Sequence, residues 1–204
     1  MLDKGDSELR SDGTSIVIKP DRKALARLSI VRGNIDSPLF SVPFVDDYII
    51  AVEPVADYVT RYSGIRRNDL TPNKSKYHLV SRKTAYCKLR TLIDAGCIFV
   101  GHGLRNDLRV LNVFVPPDQL IDTSTLFQSK QHRRIVSLRF LVWFLFNEDI
   151  QRSEHDSIVD AQSTLKVYTE YKKLVEVGQF EETLERLYRA GNELGWVPQA
   201  PHKA

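Results

Sequence analysis

Apolar and polar positions along the chain fall into short blocks with two different periods. Residues 1–13 are polar and close on Asp12-Gly13, a turn signal. Ser15–Lys19, stopped by Pro20, and Leu25–Arg32, stopped by Gly33-Asn34, read as strands. In the second, Ala26, Leu28 and Ile30 alternate with Arg27, Ser29 and Val31, the pattern of a half-buried strand. The short connection between these two strands predicts that they pair antiparallel. Interruptions from Asn34 to Phe44 predict a loop, and Val52–Tyr62 predicts a helix. Ser81–Ala95 is a stronger helix: Ala85, Leu89, Leu92 and Ile93 form one stripe, Ser81 can cap the start, and Gly96 ends it.

Downstream the period changes again. Cys97–Val100 is short and wholly apolar, as expected of a buried parallel strand. A helix from about Asn106 and a second short strand at Gln119–Ile121 complete a βαβ unit. Ser137–Phe146, His155–Val175 and Gln179–Asn192 predict three further helices, and the last is expected to pack on the core. Antiparallel strands first, then βαβ, then helices, predict an α/β fold: a mixed sheet with flanking helices.

Composition narrows the class without naming a function. At 204 residues, 42% hydrophobic and 27% charged, the sequence is that of an ordinary globular chain. Cys87 and Cys97 are too few for a disulfide framework or a four-cysteine zinc site. Leu138–Phe146, the longest apolar run, is too short to cross a bilayer and contains Arg139, so no membrane role is expected. No apolar signal core opens the sequence, and cytosol or nucleus is the expected compartment.

Net charge is only +3, but it is unevenly spread. Nine basic residues lie between Arg61 and Arg90 against one acid, Asp69, and Lys130–Arg134 adds three cations with His132. Such clusters suit the phosphates of a nucleic acid, or form a solvated helix face.

Candidate chemistry gathers after the apolar strand, at Gly101-His102-Gly103-Leu104-Arg105-Asn106-Asp107, since ligands of α/β sheets sit at strand carboxyl ends. A dinucleotide site ending on Asp122 is disfavoured. Asn106 stands where a third glycine is needed, and Asp107 would repel a pyrophosphate. A carboxylate there suits a hard divalent cation. Asp160, at the edge of the buried face near the start of the long helix, is the second candidate, and His155 just before that helix could take a proton from water. Singly, each residue has a plainer reading. His155 can be a solvated side chain, Asp107 and Asp160 can favour helix dipoles, and Asp156 can be the N-cap.

Together, Gly101-His102-Gly103 … Asp107 and His155-x-x-x-x-Asp160-Ala161 resemble the second and third motifs of the DEDDh 3′–5′ exonucleases. Further blocks narrow the resemblance to the catalytic subunits of poly(A)-nuclease deadenylase complexes. They are Glu8–Thr14, Phe44–Ile49, Val59–Ile65, Phe99–Leu104 and Ser137–Leu141. The resemblance implies an RNase H-like fold and a poly(A)-specific 3′–5′ exoribonuclease that removes poly(A) tails from mRNA. It implies two Mg²⁺ ions (or Mn²⁺), with Asp107 and Asp160 as metal ligands and His155 acting on the attacking water. It also implies an adaptor subunit, further domains not encoded in these residues, and cytoplasmic, P-body-associated location. Which side chains hold adenine is not indicated.

The family's first motif, Asp-x-Glu on the central strand, has no good counterpart. Asp6-Ser7-Glu8 has the letters but no apolar flanks. The match instead places Met1-Leu2 directly after that strand. The expectation is therefore a fragment or truncated gene model: an incomplete exonuclease domain at 1–175 and a helical extension at 176–204. Its central first strand would be missing and its activity largely lost. The alternative is an inactive RNA-binding or assembly module of the same fold.

Overall fold

The polar opening of the chain folds into a hairpin, β1 (Asp6–Leu9) antiparallel to β2 (Ser15–Lys19). The Asp12 carboxylate accepts from the Thr14 amide at 2.9 Å and the Thr14 hydroxyl at 2.6 Å, which tightens the connection. Every residue of both strands is exposed, Asp6 and Glu8 included. The pairing predicted between Ser15–Lys19 and Leu25–Arg32 does not form, because this turn brings β1 to β2 first. These relations come from a computed structural model, which describes residues 1–199 except 3, 4, 11, 13, 20, 130, 133, 152 and 153. Gly13, Pro20, Lys130 and Arg133, used in the sequence reading, lie outside the described residues.

β3 (Arg27–Val31) pairs antiparallel with β4 (Pro43–Ile49), with Ile30 opposite Val45 and Arg27 opposite Tyr48. The alternation holds: Ala26, Leu28 and Ile30 pack into apolar clusters, while Arg27 and Ser29 make polar contacts. The predicted loop therefore stops at Val42, and a strand follows it. The helix expected over Val52–Tyr62 shrinks to α1 (Thr60–Ser63). Pro54 disfavours helical backbone before it, and Val59 is left-handed with φ 50°. β5 (Leu79–Val80) joins β4 in parallel.

α2 (Arg82–Asp94) starts on the Ser81 hydroxyl, which accepts from the Thr84 amide, and buries Ala85, Leu89 and Ile93. β6 (Phe99–Gly101), α3 (Arg105–Leu111) and β7 (Leu120–Asp122) form the predicted βαβ unit with parallel strands. α4 (Thr123–Leu126), α5 (Leu138–Phe146), α6 (Ser157–Glu176) and α7 (Phe180–Glu193) complete the chain. The largest core joins Phe140, Leu141 and Val142 of α5 with Val167 of α6 and Leu184, Leu187 and Tyr188 of α7.

Antiparallel and parallel pairs coexist, so the sheet is mixed, and it lies in two pieces, β3-β4-β5 and β6-β7. α6 packs against both β3 and β6. A groove of about 480 Å³ separates them, lined by Gly33, Asn34 and Ile35 after β3, by Ile98 and Val100, and by Leu165 and Tyr168 of α6. β6 is consequently not the buried strand expected: Phe99 and Val100 are half-buried and Ile98 is 62% exposed. Only one edge of β6 has a strand partner among the described residues. No helix among the described residues is long and apolar enough to cross a membrane.

Candidate active site

Two helix starts carry the candidate side chains. At the first, β6 ends in Gly101 and the chain turns through His102 and Gly103 into α3. This turn is held from β7. The Asp122 carboxylate accepts from the amides of Gly103 at 2.8 Å, Leu104 at 3.0 Å and Ser124 at 2.9 Å. Burial alone would raise the Asp122 pKa, but these hydrogen bonds to the anion outweigh it and leave it lowered. Thr123 adds a second tie, donating to the Gly101 carbonyl at 3.0 Å and meeting His102 Nδ1 at 2.9 Å. His102 is kept below its ordinary pKa chiefly by burial. The charges of Asp122 and Asp160 act in the opposite sense. It is thus an electrostatic neighbour of both aspartates.

Asp107 sits in the first turn of α3, as the sequence predicts. Asp107 is exposed as a residue, yet desolvation of its carboxyl raises its pKa, Lys23 lowers it, and Asp122 raises it further. Among the described residues it has no hydrogen-bond or ion-pair partner.

At the second start, Asp156 is the N-cap of α6, accepting from Ile158 at 2.9 Å and Val159 at 3.3 Å. Burial opposes its charge, but Arg27 and these amides leave its pKa lowered. The polar face of β3 fixes this end of the helix. Arg27 contacts Asp156 at 3.3 Å and grips Asp46 through two nitrogens at 2.6 and 3.0 Å, while Ser29 meets Ser157 at 2.6 Å.

His155 and Asp160 are brought together, with Nδ1 3.4 Å from Oδ2. The other oxygen of Asp160 accepts from Gln151 Nε2 at 2.6 Å. No Lys or Arg among the described residues neutralises Asp160. Gln151 itself holds a left-handed backbone, φ 58°. The backbone of His155 is held by α1: its amide donates to the Arg61 carbonyl at 3.2 Å. Its carbonyl fits against Gly64, where a Cβ would lie 2.1 Å from that oxygen.

Asp107 and Asp160 supply oxygen donors, the type a hard divalent ion takes. The structure brings His155 and Asp160 together, but among the described residues no group of three or more His, Cys, Asp and Glu side chains is arranged to hold a metal ion, so Asp107 does not complete such a group with them.

The basic segment is partly spoken for. Lys88 binds the buried Asp47 at 2.7 Å, Arg90 binds Asp94, Arg66 binds Glu154, and Arg82 donates to the Val110 carbonyl. Arg61, Arg67, Lys74, Lys76 and Lys83 have no ion-pair partner among the described residues. Thr123 and Gln151 had no functional signal in the sequence, since each acts through a contact across the fold, and Asp122 figures there only as part of a disfavoured dinucleotide site. Only the position of Asp122 at a strand end hinted at its role.

Comparison with known proteins gives one consistent result. The RNase_T exonuclease family model matches residues 14–168. The PAN2-PAN3 deadenylation complex catalytic subunit pan2 of Schizosaccharomyces pombe is 48% identical over 197 residues, covering 97% of this chain and 18% of the relative. The human subunit of that name is 45% identical over 203 residues, covering 97% and 17%. The chain thus spans under a fifth of these relatives. Among solved structures, the Saccharomyces cerevisiae Pan2 pseudoubiquitin hydrolase-RNA exonuclease module in complex with A7 RNA superposes with TM-score 0.84 at 41% identity. It covers 95% of this chain and 32% of that one.

Proposed function

The chain belongs to the RNase_T exonuclease family, with the RNase H-like α/β fold, and from that premise we propose that it is the nuclease portion of a poly(A)-specific 3′–5′ exoribonuclease. The observation that carries this reading is the His155–Asp160 contact at the start of α6, 3.4 Å across, held by elements from three parts of the chain. In this reading Asp107 and Asp160 hold divalent ions, Mg²⁺ or Mn²⁺. When bound, the ions supply positive charge that activates water and stabilises the leaving oxygen. His155 turns Nδ1 toward Asp160, which leaves Nε2 to take a proton. The unpaired cations Arg61, Arg67, Lys74, Lys76 and Lys83 supply phosphate contacts. The adaptor subunit is carried over from the relatives, which are named as subunits of a PAN2-PAN3 deadenylation complex, and the cytoplasmic location from the family resemblance.

Residues 1–204 by themselves are assigned a narrower role, binding adenylate RNA with little cleavage. Two carboxylates and an imidazole neutralise two dications poorly, and among the described residues these three are not arranged as one group that could hold a metal ion. Residues 1–175 form the nuclease unit in this reading, and 176–204 extend it.

The test pairs two proteins: the chain alone, and the chain fused to the segment that precedes the aligned region in the fission-yeast relative. With Mg²⁺ and adenylate-tailed RNA, the fusion shortens tails and the chain alone binds without shortening them. Full activity of the fusion after Asp107→Ala overturns the site assignment, and equal shortening of mixed-sequence RNA overturns the poly(A) specificity.

A further inference from the structure

Resting on that reading, we propose that Gln151 is a positioning residue for Asp160: its side-chain amide orients the carboxylate for a divalent ion without cancelling the charge that the ion needs. Gln151 Nε2 donates to Asp160 Oδ1 at 2.6 Å, while Oδ2 lies 3.4 Å from His155 Nδ1. A carboxylate has roughly four lone-pair sites, and the amide takes one of them, so acceptor capacity remains on both oxygens. An arginine or lysine here would fix the same oxygen, but its charge would neutralise Asp160 and repel a dication at close range. A neutral amide separates orientation from neutralisation. Carboxylates that ligate metals are held by outer hydrogen bonds of this kind.

The segment that delivers this amide is anchored at each residue. Asn147 caps α5 in a left-handed conformation, φ 54°, and its amide donates to the Trp143 carbonyl at 2.9 Å. Glu148 pairs with Lys166 of α6 at 2.6 Å. Asp149, its side chain 12% exposed, accepts from Arg139 Nε of α5 at 3.0 Å. Ile150 packs on the core that α5, α6 and α7 share. Gln151 then takes left-handed backbone at φ 58°. A residue other than glycine holds that conformation where its surroundings over-determine it, and such residues gather at functional sites. Gln151 is only half-buried, so water could serve its amide. The anchored backbone holds the amide on Asp160 instead. The orientation of Asp160 is thereby tied to the packing of α5 against α6.

The test uses the fusion protein, with Mn²⁺ binding followed by electron paramagnetic resonance in the absence of RNA, and kcat and KM then measured on oligoadenylate. Gln151→Met keeps the length of the side chain and removes the donor. It lowers Mn²⁺ affinity and kcat about 10- to 100-fold, with KM for oligoadenylate and the melting temperature unchanged. Gln151→Lys restores a donor but adds a charge, and it binds Mn²⁺ no better than Gln151→Met does. Wild-type Mn²⁺ affinity in Gln151→Met, or in Gln151→Lys should Gln151→Met fail to fold, overturns the role of Gln151 while leaving the nuclease reading intact. Failure of the wild-type fusion to bind Mn²⁺ overturns that reading, and the role of Gln151 with it.

Discussion

Replacing Asp122 with Asn removes one charge and one acceptor from the turn that leads into α3. In the native chain Oδ1 accepts from Gly103 and Ser124, and Oδ2 accepts from Leu104. Asn keeps an acceptor for the first pair but turns an NH₂ toward the Leu104 amide, so two donors face each other. Loss of one hydrogen bond to a charged acceptor costs about 1.5–3 kcal/mol, and weakening of the other two brings the total to about 2–4 kcal/mol. For a chain of this length that corresponds to a fall in melting temperature of roughly 4–16 °C. The effect depends on pH with a defined sign. The folded pKa of Asp122 lies below its ordinary 3.8, so its contribution is complete above the unfolded value and disappears as pH falls through the folded one. Urea titrations of wild type and Asp122→Asn at a series of pH values should show the full gap at pH 7 and a closing gap below about pH 4. A neutral-pH difference under about 0.5 kcal/mol, or a gap constant down to pH 2.5, would refute the claim that this anion organises the turn.

Other perturbations separate the remaining parts of the account. Gly64→Ala places a methyl against the His155 carbonyl in a left-handed backbone costing about 1–2 kcal/mol, so the fusion protein should melt lower and lose about 100-fold in kcat. An unchanged kcat would show that α1 does not position His155. Lys88→Met strands the Asp47 carboxylate, which is only 3% exposed, and should cost about 2–4 kcal/mol in denaturant titration. It should leave oligoadenylate affinity unchanged, and a loss of affinity would return Lys88 to the phosphate-binding set. Ile98→Lys charges the open side of β6 and should reduce concentration-dependent association measured by sedimentation velocity. Unchanged association would show that this strand edge is not sticky.

What the sequence discloses is what short-range physics decides. The alternation at Ala26–Val31, the caps at Ser81 and Asp156, and the βαβ unit around Asp107 depend on neighbours within a few residues, and all are found. Strand partners depend on the whole sheet. Ser15–Lys19 therefore pairs back onto β1 rather than forward, and Pro43–Ile49 becomes a strand in a stretch opened by turn residues. The failed helix before Tyr62 shows Pro54 and a left-handed Val59 overriding an apolar spacing. At the site, the approach of His155 to Asp160 follows from four intervening residues at a helix start. The supports do not: Gln151 reaches Asp160, Asp122 spans to Gly103, and Arg61 meets His155 through folds of the backbone that no spacing encodes.

The central claim is that Asp107 and Asp160 serve one ion site with His155 alongside. A crystal of the fusion protein grown with Mn²⁺ and a non-cleavable oligoadenylate tests it through the anomalous signal of the ion. Density bonded to oxygens of both aspartates at about 2.1 Å is expected, with the His155 ring facing the scissile phosphate. Ions bound to one aspartate alone, or away from both, would contradict it.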